Sequence, residues 1–151
     1  MREEAVFTTT VAAPPTTCFE VAADVGQYPL WAADIKDADV IERDQDGRPS
    51  LVTFRAAAMG RSTTYTLRYD YAHAPVRLAW VQSEGDVTRV LDGSWEFFPV
   101  DDDPDRTEVR YSLTVELAMP LPGFVKRRAE GRIVHTAISD FTERVETLAS
   151  S

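Results

Sequence analysis

At 151 residues, with 44% hydrophobic and 27% charged side chains, the chain has the size and balance of one soluble globular domain, expected to bury about 68–70% of the surface its unfolded chain exposes. Its formal charge of −9 repels a phosphate backbone, which argues against nucleic acid as a direct partner. No run of about 18 apolar residues and no basic-then-apolar leader occurs, so neither a membrane span nor a signal peptide is expected and the expected location is cytoplasmic.

Phe7, Thr9 and Val11 alternate as in a β-strand, and Ala13-Pro14-Pro15 breaks it. Pro15 suits the opening turn of a short helix whose apolar face is Cys18, Phe19, Ala22 and Ala23, ending near Asp24. Cys18 is the only cysteine, which excludes an intrachain disulfide and a metal-thiolate cluster and makes it a small core residue. A second short helix or turn follows over Val25 to Trp31, closed by Tyr28-Pro29-Leu30-Trp31.

From Ile35 to Leu117 the punctuation is that of an antiparallel meander. Strand-like runs near 37–43, 50–58, 62–72, 76–83, 87–98 and 107–117 are separated by Asp46-Gly47, Met59-Gly60, His73-Ala74-Pro75, Glu84-Gly85-Asp86 and the acidic run Asp101 to Asp105, read as a solvated turn. Tyr65, Leu67, Tyr69 and Tyr71 share one face of their strand; Leu91, Gly93, Trp95 and Phe97 share another, as do Val109, Tyr111, Leu113, Val115 and Leu117. One sheet face is therefore apolar and aromatic.

The last stretch, Leu121 to Ala149, carries Val134, Ala137, Ile138, Phe141, Val145 and Leu148 at intervals of three and four, a single stripe of a helix about 40 Å long. Pro122 fits its first turn. Followed backwards, the stripe meets Gly131, Glu130, Arg127 and Phe124, so apolar volume thins towards the helix start. Gly131 costs about 1 kcal/mol against alanine there, which points either to a retained cavity or to close packing against a bulky ring. One strand, two small helices, six strands and a long amphipathic helix imply an α+β grip: a curved antiparallel sheet of about seven strands wrapped around the C-terminal helix, in one domain spanning 1–151.

The ordered set Ala13-Pro14-Pro15, Ala23-Asp24-Val25, Tyr28-Pro29-Leu30-Trp31, Asp92-Gly93-Ser94-Trp95-Glu96-Phe97, Thr107-Glu108-Val109-Arg110-Tyr111 and Pro120 to Gly131 resembles the START-like helix-grip superfamily (SRPBCC). Within it, the resemblance is to actinobacterial members of the polyketide cyclase/dehydrase and lipid-transport group. It implies a deep cavity between the sheet and the last helix, used across the superfamily for lipids, sterols, quinones, polyketides or hormones, and it implies no particular reaction. Carried over by position, Trp31 borders the mouth and Phe54, Tyr65, Tyr69, Trp80, Trp95, Phe97 and Tyr111 point inward. Phe124, Arg127, Gly131 and Val134 form the helix wall.

Arg127 has two readings. Facing the cavity, it binds a carboxylate, phosphate or enolate oxygen; facing outward with Lys126, Arg128 and Arg132, it belongs to a solvated face. Leu121, Pro122, Gly123 and Phe124 beside these cations would also suit transient docking on an anionic membrane. His73 and His135 are expected at the surface, Asp44 to Gly47 reads as a hairpin turn rather than a calcium loop, and no motif calls for a cofactor or metal. The leading expectation is binding, or transport, of a small hydrophobic molecule. A second is a polyketide aromatase/cyclase or dehydratase, with Arg127, Tyr65, Tyr69 or Tyr111 as donor and Glu130 as proton acceptor; a third is a protein-interaction module with a vestigial cavity. Ligand identity and oligomeric state are not encoded legibly.

Overall fold

The computed structural model describes residues 3–58, 61–118 and 122–150. Strand β1 (Glu3–Val11) leads into α1 (Pro15–Ala23), a single 3-10 turn over Val25–Gln27, and the one-turn helix α2 (Tyr28–Trp31). Six strands follow: β2 (Ile35–Arg43), β3 (Pro49–Ala58), β4 (Arg61–Asp70), β5 (Arg77–Gly85), β6 (Thr88–Val100) and β7 (Asp103–Leu117). The last element is α3 (Gly123–Ala149), 27 residues long, with Pro122 immediately before its first turn.

The seven strands form one sheet in the order β1-β7-β6-β5-β4-β3-β2, every pair antiparallel. The meander from β2 to β7 is the direct product of its hairpins. Between β2 and β3, Asp44 Oδ1 accepts from the backbone N–H groups of Asp46 and Arg48, both at 2.9 Å, and Gly47 takes a positive φ of 82°. Only glycine adopts that conformation without steric cost. Between β6 and β7 the acidic run is mostly strand: Val100 pairs with Asp103, and the turn is confined to Asp101 and Asp102, the latter at φ 64°. An aspartate tolerates this left-handed position, so two residues suffice where five were expected. The Met59-Gly60 turn lies outside the described residues.

Register shifts leave extra residues at Lys36 and Ile41 in β2, Ser83 in β5, Arg89 in β6 and Pro104 to Arg106 in β7. Each bulge bends its strand and increases its twist, so the sheet curls instead of lying flat. The helix α3 occupies the concave side against β1, β7, α1 and α2. Val134, Ile138, Phe141 and Val145 are buried along it. Leu148, expected on the same stripe, is 40% exposed.

Two carboxylates on α3 fasten the chain's other half to it. Asp140 Oδ2 accepts from the Ala33 N–H and Glu146 Oε2 from the Ala12 N–H, each at 2.9 Å. Buried Thr107 on β7 donates its hydroxyl to the Ala13 carbonyl at 2.7 Å, pinning the β1–α1 junction from the sheet side. Cys18 is buried there, and burial pushes its thiol up to about 11, partly offset by a hydrogen bond with Thr107. It is an inert core residue. No helix among the described residues is long and apolar enough to cross a membrane.

Candidate functional site

Between the concave face and α3 lies a cavity of about 420 Å³. Its sheet wall follows from strand alternation and register. Phe54 on β3 pairs with Tyr65 on β4, Tyr69 with Trp80 on β5, Trp80 with Gly93 on β6, and Trp95 on β6 with Tyr111 on β7. All these side chains project to the same side, as period-two geometry requires.

Gly93 is the permissive position in this wall. A Cβ on it would stand 2.7 Å from the Trp80 ring and 2.4 Å from the Ser112 carbonyl oxygen. The missing side chain is what lets the Trp80 indole lie across the sheet.

The rings touch in sequence. Tyr65 contacts Phe54 with centroids 5.5 Å apart, Phe54 stacks on Tyr28 at 5.9 Å, and Tyr28 meets Trp31 edge-on at 4.9 Å. Trp31 reaches Phe141 of α3 at 6.0 Å, Phe141 stacks on Trp95 at 4.3 Å, and Trp95 contacts Tyr111 at 4.3 Å. Tyr111 contacts Trp80 at 5.9 Å and Trp80 contacts Tyr69 at 6.1 Å. Tyr69 and Tyr65 share a face of β4 on either side of Leu67, which also lines the space and closes the belt. Offset and edge-on ring contacts of this kind add about 0.5–1.5 kcal/mol each beyond burial, making the wall stiff.

The polar groups are few and differently placed. Tyr28 donates its hydroxyl to the Ala22 carbonyl and Tyr71, outside the cavity, donates to the Pro49 carbonyl at 2.6 Å. The hydroxyls of Tyr65, Tyr69 and Tyr111 have no hydrogen-bond partner among the described residues, although Tyr69 is only 7% exposed and Tyr111 only 6%. Burial is the main cause that lifts the hydroxyls of all three above the ordinary phenol range, with the nearby Asp34 charge adding to it at Tyr65. They are hydrogen-bond donors at neutral pH and not proton acceptors.

The remaining polar lining is Asp34, Thr63, Thr88, Thr136 and Asp140. Thr88 is satisfied: its hydroxyl donates to Gln82 Oε1, and Gln82 Nε2 donates to the Thr88 carbonyl at 2.8 Å. Thr63 donates its hydroxyl to Asp86, whose carboxyl is held below the usual carboxylate range by that bond first. Among the described residues, no three His, Cys, Asp or Glu side chains are gathered to hold a metal.

Of the residues singled out from the sequence, Trp31, Phe54, Tyr65, Tyr69, Trp80, Trp95 and Tyr111 line the cavity. Phe97 does not: it is buried behind the wall between Phe19, Trp95 and Phe141. Val134 is buried on the flank of α3 away from the cavity. Phe124 is 67% exposed, and Arg127 and Gly131 are exposed as well. The Arg127 guanidinium lies near Gly123 at the helix start, and a Cβ on Gly131 would meet nothing within 4 Å. Leu121 and the side chains of Lys126 and Glu130 lie outside the described residues.

The actual helix wall is Val125, Ala129, Ile133 and Ala137, with Thr136 and Asp140 beside it. These residues step back by fours from Phe141, and each such step rotates about 40° around the helix. A stripe extended backwards at the average spacing therefore misses the flank that the curved sheet leaves uncovered. The signal was present as a series of short apolar side chains at i, i+4, i+8 and i+12. Tyr28, Asp34 and Asp140 carried no periodic signal, because a loop and a fold-back contact bring them in.

The sequence family described as polyketide cyclase / dehydrase and lipid transport matches residues 11–142. The chain belongs to that family. A START superfamily protein from Mycobacterium smegmatis superimposes on this member with a TM-score of 0.88 at 26% identity, over 96% of this chain and 98% of its own. The Zhui aromatase/cyclase from a Streptomyces species follows at 0.81 and 20% identity, over 97% and 94%, and a protein from Thermus thermophilus at 0.80 and 24%, over 99% of each. The last two likenesses concern the fold alone. Among curated proteins nothing matches.

Proposed function

We propose that this family member binds a small hydrophobic molecule, with fused or multiple rings, in the cavity between sheet and α3. The observation that carries the reading is the aromatic belt around about 420 Å³ of space into which the unpartnered hydroxyls of buried Tyr69 and Tyr111 open. Their hydroxyls face the space of the cavity and not packed protein, so a ligand can reach them. A ligand oxygen accepting from these phenols orients the ring system, while the apolar remainder gains by burial.

All three tryptophans, Trp31, Trp80 and Trp95, line the cavity, so intrinsic fluorescence reports occupancy. The test is native mass spectrometry of protein purified from its own host, with organic extraction of whatever is retained, followed by titration of the extracted compound. The expected result is a defined apolar compound that quenches tryptophan emission, more weakly in Tyr69→Phe and Tyr111→Phe. A protein that retains nothing and whose fluorescence answers to no hydrophobic probe overturns the reading.

A second reading, a polyketide aromatase/cyclase, is favoured by the Tyr65 phenol and the Asp34 carboxylate lining the same cavity, with the Asp34 charge acting on that phenol. A carboxylate that takes a proton from an activated methylene and a phenol that donates to the receiving ketone are the two groups an intramolecular aldol closure needs. Turnover of a poly-β-keto substrate, abolished by Asp34→Asn, is its signature. Binding without turnover leaves the carrier reading alone.

The basic segment of α3 has a separate role in this proposal. Phe124, Arg127, Arg128 and Arg132 are exposed next to Val125 and Ala129 of the cavity wall, and an exposed aromatic beside three guanidinium groups suits an anionic lipid surface. Co-sedimentation with phosphatidylglycerol vesicles, lost in Phe124→Ser with Arg128→Glu and absent with phosphatidylcholine alone, is expected. Equal binding to both vesicle types, or none to either, overturns it.

A further inference from the structure

Among the described residues, the charged groups that line the cavity are all of one sign. They are the carboxylates of Asp34 and Asp140, and no described Lys, Arg or His joins them. Arg127, the residue whose type would suit a ligand carboxylate, is exposed at the start of α3. Asp140 accepts from the backbone N–H of Ala33, the residue preceding Asp34, which ties the segment carrying Asp34 to α3, and both carboxylates line the same cavity. Both are partly exposed, which sets them where the cavity meets solvent, whereas the unpartnered phenols of Tyr69 and Tyr111 lie deep inside. The Asp34 carboxylate has no hydrogen-bond or ion-pair partner among the described residues. Lys36, nearby in sequence, spends its ammonium on the Ala33 carbonyl at 2.8 Å and is exposed outside the lining.

We propose that the cavity selects ring compounds bearing a protonated amine, the rings held in the aromatic belt and the ammonium held at the rim by Asp34 and Asp140. The inference rests on the reading of the cavity as a ligand site and adds the charge of the ligand. In a largely apolar enclosure, a ligand carboxylate would face two like charges with no cation among the described lining residues to offset them, while an ammonium gains both attraction and hydrogen bonds. Aromatic faces along the wall favour the cation further.

The test uses three probes of one ring system: aminomethylanthracene, hydroxymethylanthracene and anthracene carboxylate, each titrated at neutral pH and read by energy transfer from the tryptophans. The amine is expected to bind at least about tenfold more tightly than the alcohol, and the carboxylate more weakly than either. In Asp34→Asn with Asp140→Asn, the ratio of amine to alcohol affinity falls to near one. Asparagine at 140 keeps an oxygen for the Ala33 N–H, and Asp34→Asn alone, which breaks no hydrogen bond, lowers the ratio part-way should the double variant not fold. An alcohol that binds as tightly as the amine overturns the charge selection and leaves the cavity reading standing. Amine preference that survives both substitutions overturns the assignment to these carboxylates. Failure of all three probes to bind overturns both readings.

Discussion

Trp95 on β6 and Phe141 on α3 stack with ring centroids 4.3 Å apart and planes 29° from parallel. This contact joins the sheet to the helix at one end of the cavity: Phe141 is fully buried, and everything N-terminal to it on the cavity flank of α3 is short, through Ala137, Ile133 and Ala129 to Val125. Val134 and Ile138 are buried along the same helix, while the short side chains on its cavity flank leave the space open.

Phe141→Ala removes that anchor and leaves a void where Trp31, Trp95 and Phe97 now meet it. A loss of about 3–5 kcal/mol is expected, measured by urea denaturation. A smaller loss would mean that α3 repacks against the cavity.

Two glycines should answer oppositely to alanine. Gly93→Ala places a methyl within van der Waals radii of the Ser112 carbonyl and the Trp80 ring, costing about 1–3 kcal/mol and turning Trp80 into the cavity. Its ligand uptake falls as well. Gly131→Ala meets open space on an exposed helical face and should raise stability by about 0.5–1 kcal/mol with ligand uptake unchanged. The pair separates a glycine that shapes the cavity from one that does not.

All five tyrosines, Tyr28, Tyr65, Tyr69, Tyr71 and Tyr111, have hydroxyls raised above the ordinary phenol value by burial, Tyr71 to about 12. A raised folded-state value means the native protein holds these protons more tightly than the unfolded chain. The stability this contributes is intact below about pH 10, where unfolded tyrosine begins to ionise, and is lost as pH climbs through the folded values. Ultraviolet titration should show little phenolate at pH 10 and then a steep rise that coincides with loss of the near-ultraviolet circular dichroism. A gradual rise centred at pH 10 would show solvated phenols.

Glu146→Ala should cost about 1 kcal/mol, since the bond from the Ala12 N–H is solvent-exposed although its acceptor is charged. Hydrogen exchange at Ala12 should quicken more than at neighbouring amides. Unchanged exchange would show that Thr107 holds the junction unaided.

The order of elements was legible in the chain because each strand carries its own alternation and each hairpin its own turn residues, as at Asp46-Gly47. The aromatic half of the cavity was equally legible. Tyr65, Tyr69, Trp80, Trp95 and Tyr111 follow from period-two placement, which leaves a side chain only two choices of face. Phe97 shares that parity yet is covered by Phe19 of α1, a fact about a neighbouring element and not about its own strand.

The sequence by itself determined the grip of a curved antiparallel sheet on a long helix, and which sheet face is apolar, since backbone periodicity and turn chemistry are local properties. Only the tertiary structure decided which flank of α3 faces the empty space. A small rotation per step, accumulated from Phe141 back to Val125, turns Arg127, Gly131 and Phe124 outward and brings Ala129 and Ile133 inward. It also decided the charge of the site. Asp34 and Asp140 are 106 positions apart in sequence, and they line one cavity because the segment before β2 folds back onto α3, where the Ala33 N–H finds its acceptor in Asp140.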